Sequence, residues 1–336
     1  MHTPLEDVTL RTGETVSASV IRGPDLAWAD RLEALLQHKP PFWARQNHAV
    51  ARRELGLDAH FYVLHRAGVP FAHVLTTEVK GTGLLGHVFT AEVDRRQGAA
   101  RLLMQRQLAH FRQRGGRALF LRTGFEGPPY RLYAAFGFAG LEPKSGVMAL
   151  YADDAVAHAR DWFAPGPVEI VAPAWPHWPA SAPLFVADTP GIARCVARGL
   201  LGRAITEGPF LALLQEHEDR EARGAAPRAR VAVQTATGAV VGLAQAAPDP
   251  QWPGACIVDV HVHPAFAAVG AELLDGLHLP EAERDVAYAD VGWEWKEGVL
   301  TAAGFRRVAV LTAWAAKDAA RTGFVDVGVW ERRRLS

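Results

Sequence analysis

The apolar positions change period along the chain, and the changes mark out the elements. Thr15 to Ile21 alternates weakly between Gly13 and Gly23-Pro24 and predicts a first strand. From Asp25 to Gln37, Leu26, Ala29, Leu32, Leu35 and Leu36 fall on one helical face, and Pro40-Pro41 ends that run. Trp43 to Leu55 predicts a second helix closed by Gly56. Two strands, His60–Arg66 and Val69–Val79, turn at Ala67-Gly68. Lys80 to Gly83 leads into a third strand, Leu84–Thr90, carried by Leu85, Val88 and Phe89. After a polar loop, Ala99, Leu102, Leu103, Gln107, Leu108 and Phe111 recur at helical spacing up to Gly115-Gly116. A strand over Arg117–Thr123 follows.

The second half repeats this order. Asp161 to Pro183 is rich in Pro and Trp and predicts a linker and domain entry. Helical patterns are expected around Thr189–Leu201 and Pro209–Arg223. Strands follow at Arg230–Thr235, Val240–Ala246 and Ala255–Val262, then a helix at Val269–Leu277 and a strand near Asp285–Val291. Lys296–Gly304 predicts the closing helix, and Arg306–Trp314 and Phe324–Trp330 the last two strands. The domains expected are 1–155 and 184–336, joined through 156–183.

Composition narrows the classes. A chain of 336 residues, 49% hydrophobic and 21% charged, has core material for about two domains. Lys+Arg and Asp+Glu are both 36, which argues against a nucleic-acid binder. Cys195 and Cys256 stand alone, so no disulfide framework or Cys-x-x-Cys site is expected. No run approaches the ~18 apolar residues of a membrane helix, and Met1–Arg11 does not read as a signal peptide. A cytoplasmic protein that spans no membrane is the expectation; oligomeric state is left open.

The chemistry concentrates at Arg95-Arg96-Gln97-Gly98-Ala99-Ala100-Arg101, between the strand and the helix. Backbone N–H groups at a helix N-terminus, with a glycine allowing close approach, make an anion site. Arg95-x-x-Gly98-x-Ala100 resembles the acyl-CoA loop of the GCN5-related N-acetyltransferase (GNAT) family, (Gln/Arg)-x-x-Gly-x-(Gly/Ala). Downstream, Tyr133-Ala134-Ala135-Phe136-Gly137-Phe138 resembles that family's Tyr-x-x-x-Gly-Phe. The resemblance implies an α/β fold with a mixed sheet, two such acyl-CoA N-acyltransferase folds in tandem, and acetyl-CoA as acyl donor. It implies that Arg95 to Arg101 cradle the pyrophosphate, that Val88, Phe89 and Thr90 hold the pantetheine arm and thioester, and that Tyr133 protonates the leaving thiolate. A phenol of ordinary pKa about 10 suits that task. The acceptor implied is a small-molecule amine or a peptide N-terminus, and the helix pair over 25–55 is its side of the fold, where Phe42 and Trp43 either line a pocket or pack beneath it.

Some residues depart from the pattern. Glu126 stands where many relatives carry Asn, and Pro128-Pro129 stiffens the approach to the closing helix. No base is assigned. Strand parity puts Leu84 and Gly86 toward the acceptor and turns His87 to the opposite face; His73, Glu78, His87 and Glu92 stay as candidates. In the second half, Ala267 replaces the loop's first Arg/Gln, Gly270 keeps the glycine, Glu272 replaces the last small residue, and Leu300 replaces the Tyr. That copy is expected to be non-catalytic. His261 and His263, two apart on a strand, share a face with Asp259 and could ligate a metal, but are read as structural; Trp175, His177 and Trp178 could form an aromatic patch for a ligand, but are read as covering a domain seam. Two rival readings are a non-catalytic acyl-CoA-binding protein and a tandem enzyme like the mycothiol synthases, in which the second domain is usually the active one.

Overall fold

The computed structural model describes residues 1–334. The first half runs β1 (His2–Pro4), β2 (Val8–Thr9), β3 (Thr15–Arg22), α1 (Leu26–Leu36), α2 (Pro41–Arg52), β4 (Asp58–Arg66), β5 (Val69–Val79), β6 (Thr82–Thr90), α3 (Ala99–Gln113), β7 (Ala118–Arg122), α4 (Pro128–Ala134), β8 (Ala139–Gly140) and β9 (Val147–Tyr151). Asp25 starts α1 by accepting the N–H groups of Ala27 and Trp28, at 3.1 and 3.2 Å. Pro41 opens α2 at its first position, where its missing donor costs nothing.

The second half runs α5 (Ala155–Trp162), β10 (Val168–Val171), α6 (His177–Ala180), α7 (Ala182–Val186), β11 (Ala193–Cys195), β12 (Leu200–Leu201), α8 (Glu207–Glu221), β13 (Ala229–Gln234), β14 (Val240–Pro248), β15 (Ala255–Val262), α9 (Gly270–Asp275), β16 (Arg284–Asp290), α10 (Glu294–Ala302), β17 (Arg306–Ala316) and β18 (Phe324–Arg333). The chain divides into two compact units, one of Met1–Ala139 with Ala149–Asp154, the other of Gly140–Met148 with the described chain from Ala155 onward.

The two sheets have one plan. The first is ordered β1-β3-β4-β5-β6-β7-β9-β8 and the second β10-β13-β14-β15-β16-β18-β17. From β3 onward each strand of the first has a counterpart in the second. Each sheet has its parallel pair at the same place, β6 with β7 and β15 with β16. In both, the pair is short. β6 and β7 are in register only from Thr82–Ala118 to Leu84–Phe120, and β15 and β16 only from Ala255–Arg284 to Ile257–Val286. Beyond those residues the strands part and each sheet forks.

Two stretches differ from the sequence expectation. The predicted linker over 156–183 carries α5, β10 and α6, and β10 is the first strand of the second sheet, with Ile170 opposite Ala232. The predicted helix over Thr189–Leu201 is absent; β11, a 3₁₀ turn (Val196–Arg198) and β12 take its place. Gly191 and Gly199 sit at φ 88 and 65, left-handed values that a helix does not pass through.

Both cores hold neutral histidines. Burial pushes His60 down to about 3, helped by the Arg114 charge, and His73 and His177 to about 4, while His87 and His261 fall well below the ordinary value. Below pH ~6.5 the unfolded chain binds these protons and the folded chain does not, so stability present above that pH is lost on acidification. The expected slope is ~1.4 kcal/mol per pH unit for each histidine that stays neutral. Urea midpoints at pH 7.5 and 5.5 check this; equal midpoints would show that these imidazoles protonate in place.

Candidate active site

The fork of the first sheet opens beside the N-terminus of α3. Beyond Leu84, β6 continues through Val88, Phe89 and Thr90 with no ladder partner on the β7 side. The loop that follows is fixed at several points. Asp94 is buried and pairs with Arg66 at 2.9 Å, and Arg95 Nε donates to the Thr90 carbonyl at 3.2 Å. The Gln97 carbonyl accepts Arg11 N–H at 3.0 Å, and Gln97 Nε2 donates to the Val93 carbonyl at 3.4 Å. Arg96 and Gly98 both take left-handed values, φ 65 and 88. Gly98 is the N-cap of α3, and no side chain caps that end. Among the described residues, the N–H groups of Arg96 to Arg101 donate to no backbone acceptor. Those of Ala99, Ala100 and Arg101 belong to the first helical turn, which has no internal acceptors. The result is a set of unspent donors at the positive end of a 15-residue helix, flanked by Arg95, Arg96 and Arg101.

Arg101 connects this cradle to the second motif. Its guanidinium lies 5.5 Å from the centroid of the Phe136 ring, in the turn that closes α4. Tyr133 stands on α4, 8% exposed, with its ring 5.9 Å from that of Phe138. Glu126 adopts φ 57 and its carbonyl accepts Arg131 Nη1 at 2.7 Å, so its backbone serves to enter α4.

The expectation for His87 is overturned. From His73–Phe89 to Leu75–Gly86, β5 advances two residues and β6 three, so β6 carries a bulge there, with His87 at φ 55. The extra residue breaks the alternation on which the parity argument depends. His87 faces α2, its ring 5.0 Å from that of Trp43, and Phe89 stacks on His38 at 4.0 Å. His73 Nδ1 donates to the His87 carbonyl at 2.9 Å and holds the bulge in place. Of the other base candidates, Glu78 is fully buried and ion-paired with Arg114.

In the second unit the equivalent places are closed. The 3₁₀ turn Pro264–Val269 occupies the loop, His263 Nδ1 accepts Ala265 N–H at 3.3 Å, and α9 follows without a left-handed residue. Gly270 has φ −62, and a Cβ there would lie 2.8 Å from the Trp295 ring, so its small size serves packing. The fork between β15 and β16 is bridged by the chain itself. Asp290, the last residue of β16, accepts Ile192 and Ala193 N–H at 2.6 and 2.8 Å. Asp259, past the fork on β15, accepts Val196 and Ala197 N–H, both at 2.9 Å. The fully buried Lys296 donates to the Ala193 carbonyl from α10. Leu300, at the Tyr133 position, is fully buried. Trp175 and Trp178 donate to Glu218 and to the Glu207 carbonyl of α8, at 2.9 and 2.8 Å. Among the described residues, no three His, Cys, Asp or Glu side chains are grouped to hold a metal ion, and no helix is long and apolar enough to cross a membrane.

Two copies of a mixed sheet, each forked beyond one parallel pair with a helix following the fourth strand, give the chain two tandem GNAT-like folds. No family model matches the sequence, and no curated protein matches it. Solved structures similar to this chain include a ribosomal-protein-alanine N-acetyltransferase from Brucella melitensis, at 18% identity and TM-score 0.38, over 49% of this chain and 99% of that one. The protein yncA from Salmonella typhimurium, solved with its cofactor acetyl-CoA, is 17% identical with TM-score 0.38, over 51% and 96%. The GNAT domain of S. lividans PAT is 16% identical with TM-score 0.35, over 44% and 96%.

Proposed function

We propose that the chain is an N-acetyltransferase that moves the acetyl group of acetyl-CoA to an amine, with one working site, in the first unit. The observation that carries this reading is the uncapped N-terminus of α3 behind the left-handed Gly98, at the open fork of β6 and β7. The residues fit the donor molecule. Backbone N–H groups from Arg96 to Arg101, with three arginines beside them, suit a pyrophosphate, and the stretch from Val88 to Thr90, which has no ladder partner on the β7 side, offers backbone groups to an amide-bearing arm. A neutral amine attacks the thioester carbonyl, a C–N bond forms and the C–S bond breaks. Tyr133 gives its proton to the departing sulfur and regains one from solvent, while the surplus amine proton leaves to water. Alignment and one proton donor suffice for such a step.

Thermal unfolding with acetyl-CoA tests the reading. At about 100 times its dissociation constant, a ligand adds about 2.7 kcal/mol to stability; no shift at millimolar acetyl-CoA rejects the site. Calorimetric titration is expected to give one acetyl-CoA per chain. Gly270→Ala is expected to lower stability by forcing Trp295 aside while leaving that titration unchanged; two equivalents per chain would show that the second unit binds as well.

A further inference from the structure

The hairpin at the start of the chain brings a further arginine to the cradle. β2 and β3 pair through Val8–Val16 and Thr9–Thr15, and the turn between them carries Arg11. Buried Val8 and Leu10 anchor it, and Leu10 N–H donates to the Glu14 carbonyl at 2.8 Å. Three ties then fasten this stretch to the loop and to α3. Arg11 N–H donates to the Gln97 carbonyl at 3.0 Å. Glu14 of the turn and Asp94 of the loop share Arg66, at 2.6 and 2.9 Å. Arg106 on α3 donates to the Glu6 and Asp7 carbonyls, at 3.1 and 3.2 Å. Held in this way, the Arg11 side chain runs alongside Gly98. A Cβ added to that glycine would lie 3.6 Å from Arg11 Cγ and 3.7 Å from its Nε.

Other arginines of this region are spent on the protein itself. Arg66 holds the two acids, Arg95 the Thr90 carbonyl and Arg106 the segment before β2. Arg11 is exposed, and among the described residues its guanidinium has neither an ion pair nor a hydrogen bond. Its position is electrostatically unfavourable. A cation beside the N-cap of α3 faces the positive end of the helix dipole, next to N–H groups that are themselves unspent. Three ties hold it there nonetheless, and an anion bound between the two sets of donors removes the conflict. In the second unit a helix, α5, precedes β10 in place of a hairpin, and the equivalent loop is closed. We propose that Arg11 grips a phosphate of acetyl-CoA and closes the cradle from outside the loop that carries the motif. This rests on the acetyltransferase reading and adds a cofactor-binding residue to its site. A guanidinium offers two parallel N–H donors to two oxygens of one phosphate. Acetyl-CoA presents that chemistry twice, in its pyrophosphate and in its 3′-phosphate.

Calorimetric titration of the wild type and Arg11→Gln with acetyl-CoA tests the proposal. The variant is expected to bind at least about tenfold more weakly, the loss of one charge-assisted contact. Its melting temperature should stay within about 2 °C, as for a surface substitution. Arg11→Lys, which keeps the charge and loses the fork, is expected to fall between the two. Arg112→Gln removes the same charge from the other end of α3, roughly 20 Å away, and is expected to bind as the wild type. Acetyl-dephospho-CoA separates the two sources. A gap between wild type and Arg11→Gln that persists with it assigns Arg11 to the pyrophosphate, and a gap that closes assigns it to the 3′-phosphate. Affinity for acetyl-CoA within about threefold of the wild type in Arg11→Gln overturns the proposal, as does an equal loss in Arg112→Gln. An equal loss with millimolar S-acetylpantetheine, which carries no phosphate, also overturns it, because the loop itself would then have moved. A wild-type chain that does not bind acetyl-CoA fails the acetyltransferase reading, whereas binding that ignores Arg11→Gln fails this inference alone.

Discussion

Tyr133→Phe is expected to lower kcat by about 10²–10⁴-fold, the usual contribution of a positioned proton donor. The reasoning begins with the leaving group. In the proposed transfer the departing thiolate takes a proton, and Tyr133, on α4, is the phenol that the resemblance to Tyr-x-x-x-Gly-Phe assigns to it. Phe keeps the ring that packs near Phe138, so the melting temperature and the acetyl-CoA dissociation constant are expected to change little. The loss should appear in kcat and kcat/KM together, as for an interaction made only in the transition state. CoA-thiol release under saturating acetyl-CoA measures it. A Phe variant within threefold of wild type would remove Tyr133 from the chemistry and leave the cradle standing.

The second large effect is expected from Gly98→Val. At φ 88 a β-branched side chain is strained whatever the surrounding space, and here the nearest atoms to an added Cβ are those of the Arg11 side chain, at 3.6 Å. To relieve the strain the loop must leave its left-handed turn, and the N–H groups of Arg96 to Arg101 then leave the positions proposed for the pyrophosphate. Acetyl-CoA affinity is expected to fall by at least about 100-fold, roughly 2.7 kcal/mol. Gly115→Ala is the matched control. It has φ 78 with nothing within 4 Å of an added Cβ, at the far end of α3. It is expected to cost about 1–2 kcal/mol of stability through the same backbone strain and to leave acetyl-CoA affinity as it was. Equal affinity losses in both variants would assign the effect to helix stability rather than to the cradle.

Most elements were legible in local periodicity, because an amphipathic helix or strand records its buried face in the residues themselves. Gly98 before α3 shows the same at the level of a single residue: the sequence marks it as a point of close backbone approach, and the structure holds it at φ 88. The bulge at His87 was not legible. One extra residue leaves the composition of β6 unchanged but reverses which side chains reach α2, and only pairing against β5 reveals it. The region Thr189–Leu201 misled for a related reason. Its spacing suits a helix, but its backbone donors are taken by Asp259 and Asp290, more than 60 residues away in sequence (|i−j| of 62 to 98).

The sequence by itself determined most of the strand and helix order, the glycine at the start of α3, and the loss of the loop residues and Tyr from the second copy. These depend on neighbouring residues and on backbone sterics, which a linear chain carries locally. The tertiary structure decided what each fork holds. In the second sheet Asp259, Asp290 and Lys296 fasten the segment Ile192–Ala197 across the parting strands. In the first, β6 has no ladder partner on the β7 side past Leu84, and His87 is turned toward Trp43 of α2. Such arrangements arise from backbone groups and side chains that meet only after the sheet has formed, so no local pattern specifies them.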